Sequence, residues 1–313
     1  MKEYRRVLVR ILFWGALLCC VVALVHQRDA LQQLRGSLSG LSVVSITFAL
    51  ALMWGATVLA WGAMLHAWTG VQANFDVGAR HLSLLLVGKY LPGGVWGFLS
   101  RHADAKETAA GHTLLLAGLS EQGVNLLVLL GLGGAALAYG SLGFLGAFAT
   151  ALLAIVLCMG GVLGSANVLE SLSAQSWMAW VGHRWPSKGS QPQVSGVVRS
   201  VLWVVLQQIL FLSVVAWVAF EVFGLGPDGA VKAAGAYGVA AAIGMLVVFA
   251  PGGIVAREGA FIALLGLDSL TAGDVVALAA FLRLLNCGYD FSTAPMAWIS
   301  MVVARCGSKF RSG

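Results

Sequence analysis

Long apolar runs separated by short polar connections make up most of this chain. A membrane-spanning helix needs about 20 predominantly apolar residues to cross the hydrocarbon core of a bilayer. Eight runs are apolar enough to be predicted as spans, although the last two are short and are interrupted only at residues 288–290, as in a tight helical hairpin. The predicted spans are residues 7–25, 41–65, 112–132, 143–163, 198–223, 234–249, 274–287 and 291–303.

Two further apolar stretches, residues 82–99 and 251–267, do not resemble simple spans because each contains Pro-Gly-Gly. Proline removes a backbone donor and glycine accepts almost any backbone angle, so the motif breaks a helix. Broken backbone is tolerated at membrane depth only where it is buried in protein or faces a watery cavity. Paired breaks in the two halves of a chain are typical of a transporter-like binding site. The alternative is two ordinary loops at the membrane surface.

The residues at the two breaks are therefore candidates for substrate binding. The first break contributes Tyr90, Pro92, Gly93 and Gly94, and the second contributes Pro251, Gly252 and Gly253.

These patterns predict an all-α fold, a polytopic membrane helix bundle of about eight spans plus two Pro-Gly-Gly broken or re-entrant helices in two related halves. A single integral membrane domain is expected over residues 1–313. Its first half is 1–185, its polar linker is 186–193 and its second half is 194–313. The tryptophan-rich stretch 169–185 is predicted to be a helix at the membrane interface.

Composition excludes a water-soluble protein. The chain is 59% hydrophobic and 10% charged, with a mean hydropathy of +0.88, whereas soluble domains carry about 25% charged residues. Its net charge of +6 is not clustered on a basic face, so no nucleic-acid partner is expected. The five cysteines and six histidines lack metal-ligand spacing, so no metal or other cofactor is predicted.

Basic residues predict the orientation. The first run, 7–25, follows a basic flank like that of a signal peptide, but no small-x-small cleavage site precedes His26, so it is interpreted as an uncleaved span. Lysine and arginine also occur in the loop after the fourth span and in the tail. If both Pro-Gly-Gly stretches re-enter without crossing, the positive-inside rule places both termini in the cytoplasm.

Five charged residues lie in or beside apolar sequence: Arg101, Glu121, Arg257, Glu258 and Arg283. A charge at the centre of the hydrocarbon costs about 2.5–3.5 kcal/mol on insertion scales, so such groups face the bundle interior and pair. We therefore expect these side chains to converge on an internal cavity, where guanidinium groups suit a phosphate. The alternative, which can coexist with the first, is that Glu121–Arg283 and Arg257–Glu258 are structural ion pairs.

Other polar residues in apolar sequence have simpler interpretations. Lys89 either lines the mouth of the first break or extends to the membrane interface. Gln207 and Gln208 are predicted to form helix-to-helix hydrogen bonds, and Asp290 is predicted to cap the last helix.

Taken together and in order, these motifs resemble the lysylphosphatidylglycerol synthase transmembrane family, also called flippase-like. The resemblance rests on residues 89–94 (Lys-Tyr-Leu-Pro-Gly-Gly) with Arg101, on Glu121, and on residues 251–259 (Pro-Gly-Gly-Ile-Val-Ala-Arg-Glu-Gly) with Arg283. It covers about the whole chain, and the second motif is its most specific part.

The chain departs from the family pattern in two places. Where the family often has a basic residue and then an acidic one after the glutamate of the third span, this chain has Gln122 and Asn125. Full synthases of the family also carry a soluble aminoacyl-transferase domain, which does not follow here before Gly313. Aminoacylation by this chain alone is therefore not expected.

The resemblance implies a membrane domain that binds and translocates an amphipathic, phosphate-bearing lipid in the biogenesis of cell-envelope lipids or glycans. The substrate would be a phospholipid or a polyprenyl-phosphate-linked sugar. Envelope-biosynthesis enzymes or a second copy of the chain would be its partners, and the bacterial inner membrane its location. Two alternatives stay open, a membrane transferase with Glu121 or Glu258 as general base and a non-catalytic partner of such an enzyme.

Overall fold

The computed structural model describes residues 39–90, 96–105, 111–173, 191–247, 256–266 and 271–311, and no residue in these ranges lies in a β-strand. The predicted all-α class is therefore confirmed for this part of the chain. The helices are α1 (Gly40–Thr69), α2 (Phe75–Gly88), α3 (Trp96–Ala105), α4 (Gly111–Ser173), α5 (Val194–Glu221), α6 (Pro227–Leu246), α7 (Ala256–Leu265) and α8 (Ala272–Arg311).

Five helices, α1, α4, α5, α6 and α8, are long and apolar enough to cross a membrane. They leave large apolar side chains on the outside of the bundle, including Leu41, Leu145 and Trp298, which are 75%, 79% and 63% exposed. Contiguous apolar surface of this kind is stable in lipid and not in water. Helices and surface of this kind are consistent with an integral membrane protein. The first predicted span, 7–25, and the linker 186–190 lie outside the described residues.

Helix α4 folds back on itself at Gly143, where φ is 64° and ψ is −172°. Gly131 in the first arm (111–142) packs against Ala154 in the second arm (144–173), so closely that a Cβ on Gly131 would lie 2.2 Å from the Cβ of Ala154. The two arms are therefore antiparallel neighbours, and they contain the separate apolar runs predicted at 112–132 and 143–163.

The predicted break at residues 288–290 is wrong, because one helix, α8, runs from Ala272 to Arg311. Asp290 accordingly does not cap a helix. Its carboxylate receives hydrogen bonds from other side chains, and the Thr293 hydroxyl donates to its backbone carbonyl at 2.6 Å. The small and polar residues at 288–290 resembled a turn in the sequence, but the Asp290 carboxylate is satisfied by tertiary contacts and the helix continues.

Helices α2 and α3 form a tight antiparallel hairpin. Gly88 and Gly97 meet at its closed end, where a Cβ on Gly88 would lie 2.3 Å from the Cα of Gly97. A Cβ on Gly97 would lie 2.2 Å from the carbonyl oxygen of Leu85. Only glycine allows two backbones to approach this closely. Farther along the hairpin, Arg80 and Asp104 form an ion pair at 2.9 Å.

Helices α6 and α7 form the second hairpin. The ring of Phe261 in α7 packs edge-on against the ring of Tyr237 in α6, with centroids 5.4 Å apart, and Arg257 at the start of α7 donates to the Tyr237 hydroxyl. In the sequence, a Pro-Gly-Gly motif lies between the two helices of each hairpin. The residues of both motifs, Pro92, Gly93, Gly94, Pro251, Gly252 and Gly253, lie outside the described residues.

Each hairpin packs against the long helix that follows the other hairpin. Helix α2 lies antiparallel to α8, with Tyr90 beside Asp290 and Leu82 beside Ala297. Helix α6 lies along the first arm of α4, where a Cβ on Gly235 would lie 2.8 Å from the carbonyl oxygen of Gly133. The described helices therefore repeat one arrangement twice. A long helix, a hairpin and another long helix follow one another first as α1, α2–α3 and α4, and then as α5, α6–α7 and α8.

The open end of each hairpin is the end at which its first helix begins. The helix directions place the two open ends on opposite faces of the bundle. The end of α1 and the start of α5 share one face, because the Gln193 amide donates to the carbonyl of Ala67 at 2.8 Å. The start of α2, which follows α1, lies on that face, and so does the start of α4, since the Trp68 indole donates to Ser120 at 3.1 Å. Helix α6 runs opposite to the first arm of α4, and so begins on the other face.

Substitution of Gly143 tests the fold of α4. Its combination of φ and ψ is accessible almost only to glycine, so Gly143→Val is expected to destabilise the protein by about 1–3 kcal/mol. Gly140 is helical and a Cβ there would meet nothing within 4 Å, so Gly140→Ala is expected to be neutral or to stabilise by about 0.5–1 kcal/mol. The free energy of unfolding in detergent, measured for both variants, checks these expectations. Equal changes in stability for the two variants would contradict a turn at Gly143.

Candidate functional site

A cavity of about 340 Å³ lies between the two hairpins, and every described helix contributes to its wall. Most of its lining is apolar, as expected for a ligand site in a membrane bundle. The charged lining residues are two cations, Lys89 and Arg257, and two carboxylates, Glu121 and Asp290. The amides that line it are Gln122, Asn125, Gln207, Gln208 and Asn286.

The closed end of the first hairpin is tied to the middle of α8 through Asp290, which is only 2% exposed. The Lys89 ammonium lies 2.7 Å from its carboxylate, and the Tyr90 hydroxyl donates to the same oxygen at 2.5 Å. Burial, and then the neighbouring Asp290 carboxylate, raises the pKa of Tyr90, so the phenol keeps its proton and remains a donor. The Tyr90 ring also stacks on Phe291 at 5.1 Å.

The second hairpin positions Arg257 at the cavity through Tyr237. The guanidinium donates to the Tyr237 hydroxyl and lies over its ring, with the central carbon 4.7 Å from the centroid. The Asn286 amide donates to the same hydroxyl at 3.0 Å. Both hairpins therefore hold a cation beside the cavity with a tyrosine and a residue of α8.

Glu121 reaches the cavity with its charge already balanced. Arg101 donates to its carboxylate at 2.6 Å, and both side chains are almost fully buried. The guanidinium carbon of Arg101 lies 3.8 Å from the centroid of the Trp61 ring, which is an additional cation–π contact. Arg101 does not itself line the large cavity. Its role in the structure is to pair with Glu121 from behind the cavity wall.

Glu258 and Arg283 form a longer ion pair, with 3.8 Å between Oε1 and NH1, across the contact of α7 and α8. This arrangement corrects one sequence interpretation, because Glu121 pairs with Arg101 rather than with Arg283. The guanidinium of Arg283 also lies 5.9 Å from the centroid of the Tyr90 ring. The pair therefore connects the second hairpin to the tyrosine of the first.

The structure brings only some of the predicted site residues to the cavity. Glu121 and Arg257 line the cavity. Tyr90 is not part of the lining, but it donates a hydrogen bond to Asp290, which is. Arg101, Glu258 and Arg283 form ion pairs around it and are not part of its lining. The six Pro-Gly-Gly residues of the prediction lie outside the described residues.

Sequence reasoning missed the importance of Asp290 and of the amides. Asp290 was interpreted as a cap because three consecutive polar or small residues resembled a turn. The signal that could have identified it is the length of the apolar stretch around it, which suffices for one helix, Gly273–Ala304, with a carboxylate at its centre. The helix-to-helix bond expected of Gln208 exists, since its amide donates to Asn125 at 3.1 Å, but both residues also line the cavity.

A second polar cluster joins α1 to the first hairpin, and its titratable members, His81 and Asp104, lie outside the five candidate spans. The Trp61 indole donates to Nδ1 of His81 at 3.0 Å, so the ring proton of the neutral histidine is on Nε2, which lies 3.1 Å from a carboxylate oxygen of Asp104. Burial lowers the pKa of His81 from 6.5 to about 4; Asp104 opposes this shift, while Arg101 and Arg80 add to it. His81 is therefore neutral at neutral pH.

Comparison with known proteins assigns the chain to no family. No protein-family model matches it, and no curated protein matches it significantly. The functional conclusion therefore rests on the geometry and charge of the cavity.

The Arg101–Glu121 pair is expected to behave as one unit. Glu121→Ala leaves a guanidinium buried without its carboxylate, and breaking a buried pair in this way costs about 3–5 kcal/mol. The double variant Arg101→Met/Glu121→Leu removes both charges and is expected to lose less than Glu121→Ala alone. Unfolding free energies of the single and double variants in detergent measure this coupling. Additive losses would contradict it.

His81 is expected to make stability depend on pH. The unfolded chain binds the proton with a pKa near 6.5 and the folded chain with one near 4, so stability is full above pH 6.5 and falls as the pH drops towards 4. The contribution amounts to about 3 kcal/mol across that window. The free energy of unfolding is measured against pH for the wild type and for His81→Gln. The difference between the two curves isolates the contribution of His81. A difference that does not change between pH 4 and 6.5 would contradict the assignment.

Proposed function

We propose that this protein binds the headgroup of an amphipathic, phosphate-bearing lipid in the central cavity and translocates it across the bilayer. The observation that carries the proposal is a cavity lined by two cations, Lys89 and Arg257, each supplied by a different hairpin and each close in sequence to a Pro-Gly-Gly motif. Such a ligand has an anionic head, which these cations complement, and apolar tails, which suit the surrounding lipid.

The balance of charge favours an anion. The lining contains two cations and the two carboxylates Glu121 and Asp290, and Arg101 stands behind Glu121. Counting Arg101, the three cations exceed the two carboxylates. A lysine and an arginine beside one cavity supply donors from two directions, and the guanidinium fork matches phosphate oxygens.

The size of the cavity suits a headgroup rather than a whole lipid. At about 340 Å³ it lies near the lower end of the volumes of small-molecule sites. In this mechanism the phosphate enters the cavity while the acyl or isoprenoid tails remain among the exposed apolar side chains of the bundle. The energy of moving a charged headgroup is lowered because its phosphate is never left without a counter-charge.

The opposed hairpins suggest how the headgroup crosses. We infer that both hairpins re-enter the membrane from opposite sides and that their closed ends meet near its middle. Repeats of inverted topology that enclose a central site are the usual basis of alternating access. Movement of one hairpin relative to the other would open the cavity first to one side and then to the other.

The state of the carboxylates supports transport over transferase chemistry. A general base needs a carboxylate that can accept a proton from the substrate. Glu121 is paired with Arg101, and Asp290 receives bonds from Lys89 and Tyr90. Both carboxylates are therefore already engaged by cations or donors of the protein itself.

Translocation by purified protein in liposomes tests the proposal. The wild type is expected to move fluorescent phosphatidylglycerol or a polyprenyl phosphate between leaflets faster than protein-free vesicles do. Lys89→Gln and Arg257→Gln are each expected to slow this at least tenfold, since a bond to a charged group contributes about 1.5–3 kcal/mol. Arg199→Gln, at an exposed position of α5, is the matched control and is expected to match the wild type.

Two results would contradict the proposal. The first is a wild-type protein that moves neither anionic lipid faster than empty vesicles. The second is transport that survives in the Lys89 and Arg257 variants at the rate of the Arg199 control.

A further inference from the structure

The carboxylate of Asp290 and the phosphate of the proposed ligand depend on the same two cations. The Lys89 ammonium lies 2.7 Å from this carboxylate, and the charge of Arg257 also acts on it. Both cations line the cavity, where the proposed function assigns them to a lipid phosphate. A phosphate bound there brings a second negative charge to cations that already neutralise Asp290.

That second negative charge changes the protonation of the site. The Asp290 side chain is only 2% exposed, so water does not screen it from a neighbouring anion. When two anions share one site in a poorly polarisable interior, the ionised form of one of them is disfavoured and that group binds a proton. A phosphodiester is a much weaker base than a carboxylate. Asp290 is therefore the group that binds the proton.

The other groups around Asp290 do not supply a further counter-charge. The described titratable groups that face it are Lys89 and Tyr90 from α2, Arg257 from α7, and Cys287 and Tyr289 on α8 itself. Helix α1 contributes the neutral hydroxyl of Thr57, which bonds to Tyr289. The remaining charges nearby are paired with one another, Glu121 with Arg101 and Glu258 with Arg283.

A second acceptor for the Tyr90 hydroxyl allows Asp290 to be protonated without repacking. The hydroxyl lies 2.5 Å from the carboxylate and 3.3 Å from Sγ of Cys287, one turn earlier in α8. A phenol has a single proton to donate. With Asp290 ionised, that proton is donated to the carboxylate. With Asp290 protonated, its carboxyl O–H donates to the phenol oxygen and the phenol donates to Cys287, so no donor is left unpaired in either state.

We propose that Asp290 is a proton-binding site that couples lipid transport to proton transport, taking up a proton whenever an anionic headgroup binds. The proton comes from water and adds to a carboxylate oxygen, while Lys89 becomes the counter-charge of the phosphate, and no covalent bond of the lipid changes. Release of the headgroup on the other side returns Lys89 to Asp290 and frees the proton there.

Coupling of this kind removes the electrical cost of transport. A phosphodiester headgroup carries one negative charge and the proton one positive charge, so the two cross together without moving net charge through the membrane potential. A proton gradient can then drive the lipid in one direction. This inference rests on the proposed function, because it assumes that an anionic lipid occupies the cavity.

Binding of short-chain phosphatidylglycerol to the purified full chain tests for proton uptake. Its phosphodiester does not titrate near neutral pH, whereas a phosphomonoester has a second pKa of about 6. Isothermal titration calorimetry in two buffers of different ionisation enthalpy counts the protons taken up for each lipid bound. The wild type is expected to take up about one proton, so its affinity falls about tenfold for each unit of rising pH in the window where Asp290 titrates.

Asp290→Asn keeps the shape of the side chain and an acceptor for Tyr90, but it cannot bind a proton. Its affinity for phosphatidylglycerol is expected to be independent of pH over that window, with no proton uptake. The matched control is Asp228→Asn, which removes the same charge from an exposed position at the start of α6. Its pH profile is expected to match that of the wild type.

Variants of Cys287 test the second acceptor without changing any charge that the phosphate meets. Cys287→Ala removes the acceptor that the Tyr90 hydroxyl needs in the lipid-bound state, so the midpoint of the affinity profile is expected to move down by about 0.5 pH unit. Cys287→Ser keeps an acceptor and is expected to keep the wild-type midpoint. Cys158→Ala, a buried thiol of α4 outside the cavity lining, is expected to have no effect.

A pH gradient across proteoliposomes tests whether the proton drives the lipid. The wild type is expected to move fluorescent phosphatidylglycerol faster from the acidic to the alkaline side than in the opposite direction. Asp290→Asn is expected to show no such difference between the two directions, because its lipid-bound state carries no extra proton.

The outcomes separate this inference from the proposed function. Wild-type binding of phosphatidylglycerol without proton uptake would overturn the coupling while leaving the anion site in place. Proton uptake that persists in Asp290→Asn, or a Cys287→Ala profile equal to that of Cys287→Ser, would overturn the assigned proton site. Failure of the wild type to bind phosphatidylglycerol at any pH would overturn the proposed function as well.

Discussion

The cost of burying charge in an apolar bundle governs this structure. Arg101, Glu121 and Asp290 are each about 98% buried, and an isolated charge in such surroundings is strongly unfavourable. The bundle resolves this by pairing: Glu121 with Arg101, and Asp290 with Lys89 and the Tyr90 hydroxyl. Because these contacts join α3 to α4 and α2 to α8, the same interactions that neutralise charge also fix where the first hairpin lies.

Close approach of backbones makes those contacts possible. Gly88 and Gly97 bring α2 and α3 together, while Gly133 and Gly235 bring α6 against α4. Without aqueous hydrophobic forces between helices, small residues of this kind are what allow membrane helices to pack tightly. The closed ends of the two hairpins consequently flank one cavity. Packing by glycine and pairing of charge thus act together, and the functional proposal depends on both.

Sequence alone predicted the apolar architecture better than it predicted the site. Runs such as 41–65 and 198–223 are recognisable because length and hydropathy suffice to define a span. It also predicted that Glu121 and Arg257 would face an interior cavity, since a charge in lipid has few other stable positions. The sequence could not predict which side chains pair with these charges, because that depends on how the helices are placed in the fold. Asp290 meets Tyr90 across 200 positions of sequence, in the middle of an α8 that is continuous where a turn was expected.

The central claim is that a lipid phosphate lies between the two hairpins, in contact with both Lys89 and Arg257. An electron cryo-microscopy map of the full chain in nanodiscs containing phosphatidylglycerol tests it most directly. The account predicts density for a phosphate within hydrogen-bonding distance of the Lys89 ammonium and of the Arg257 guanidinium, with the tails leaving the cavity towards the bilayer. Ordered lipid headgroups found only at the outer surface, with the cavity filled by water or by acyl chains, would contradict it.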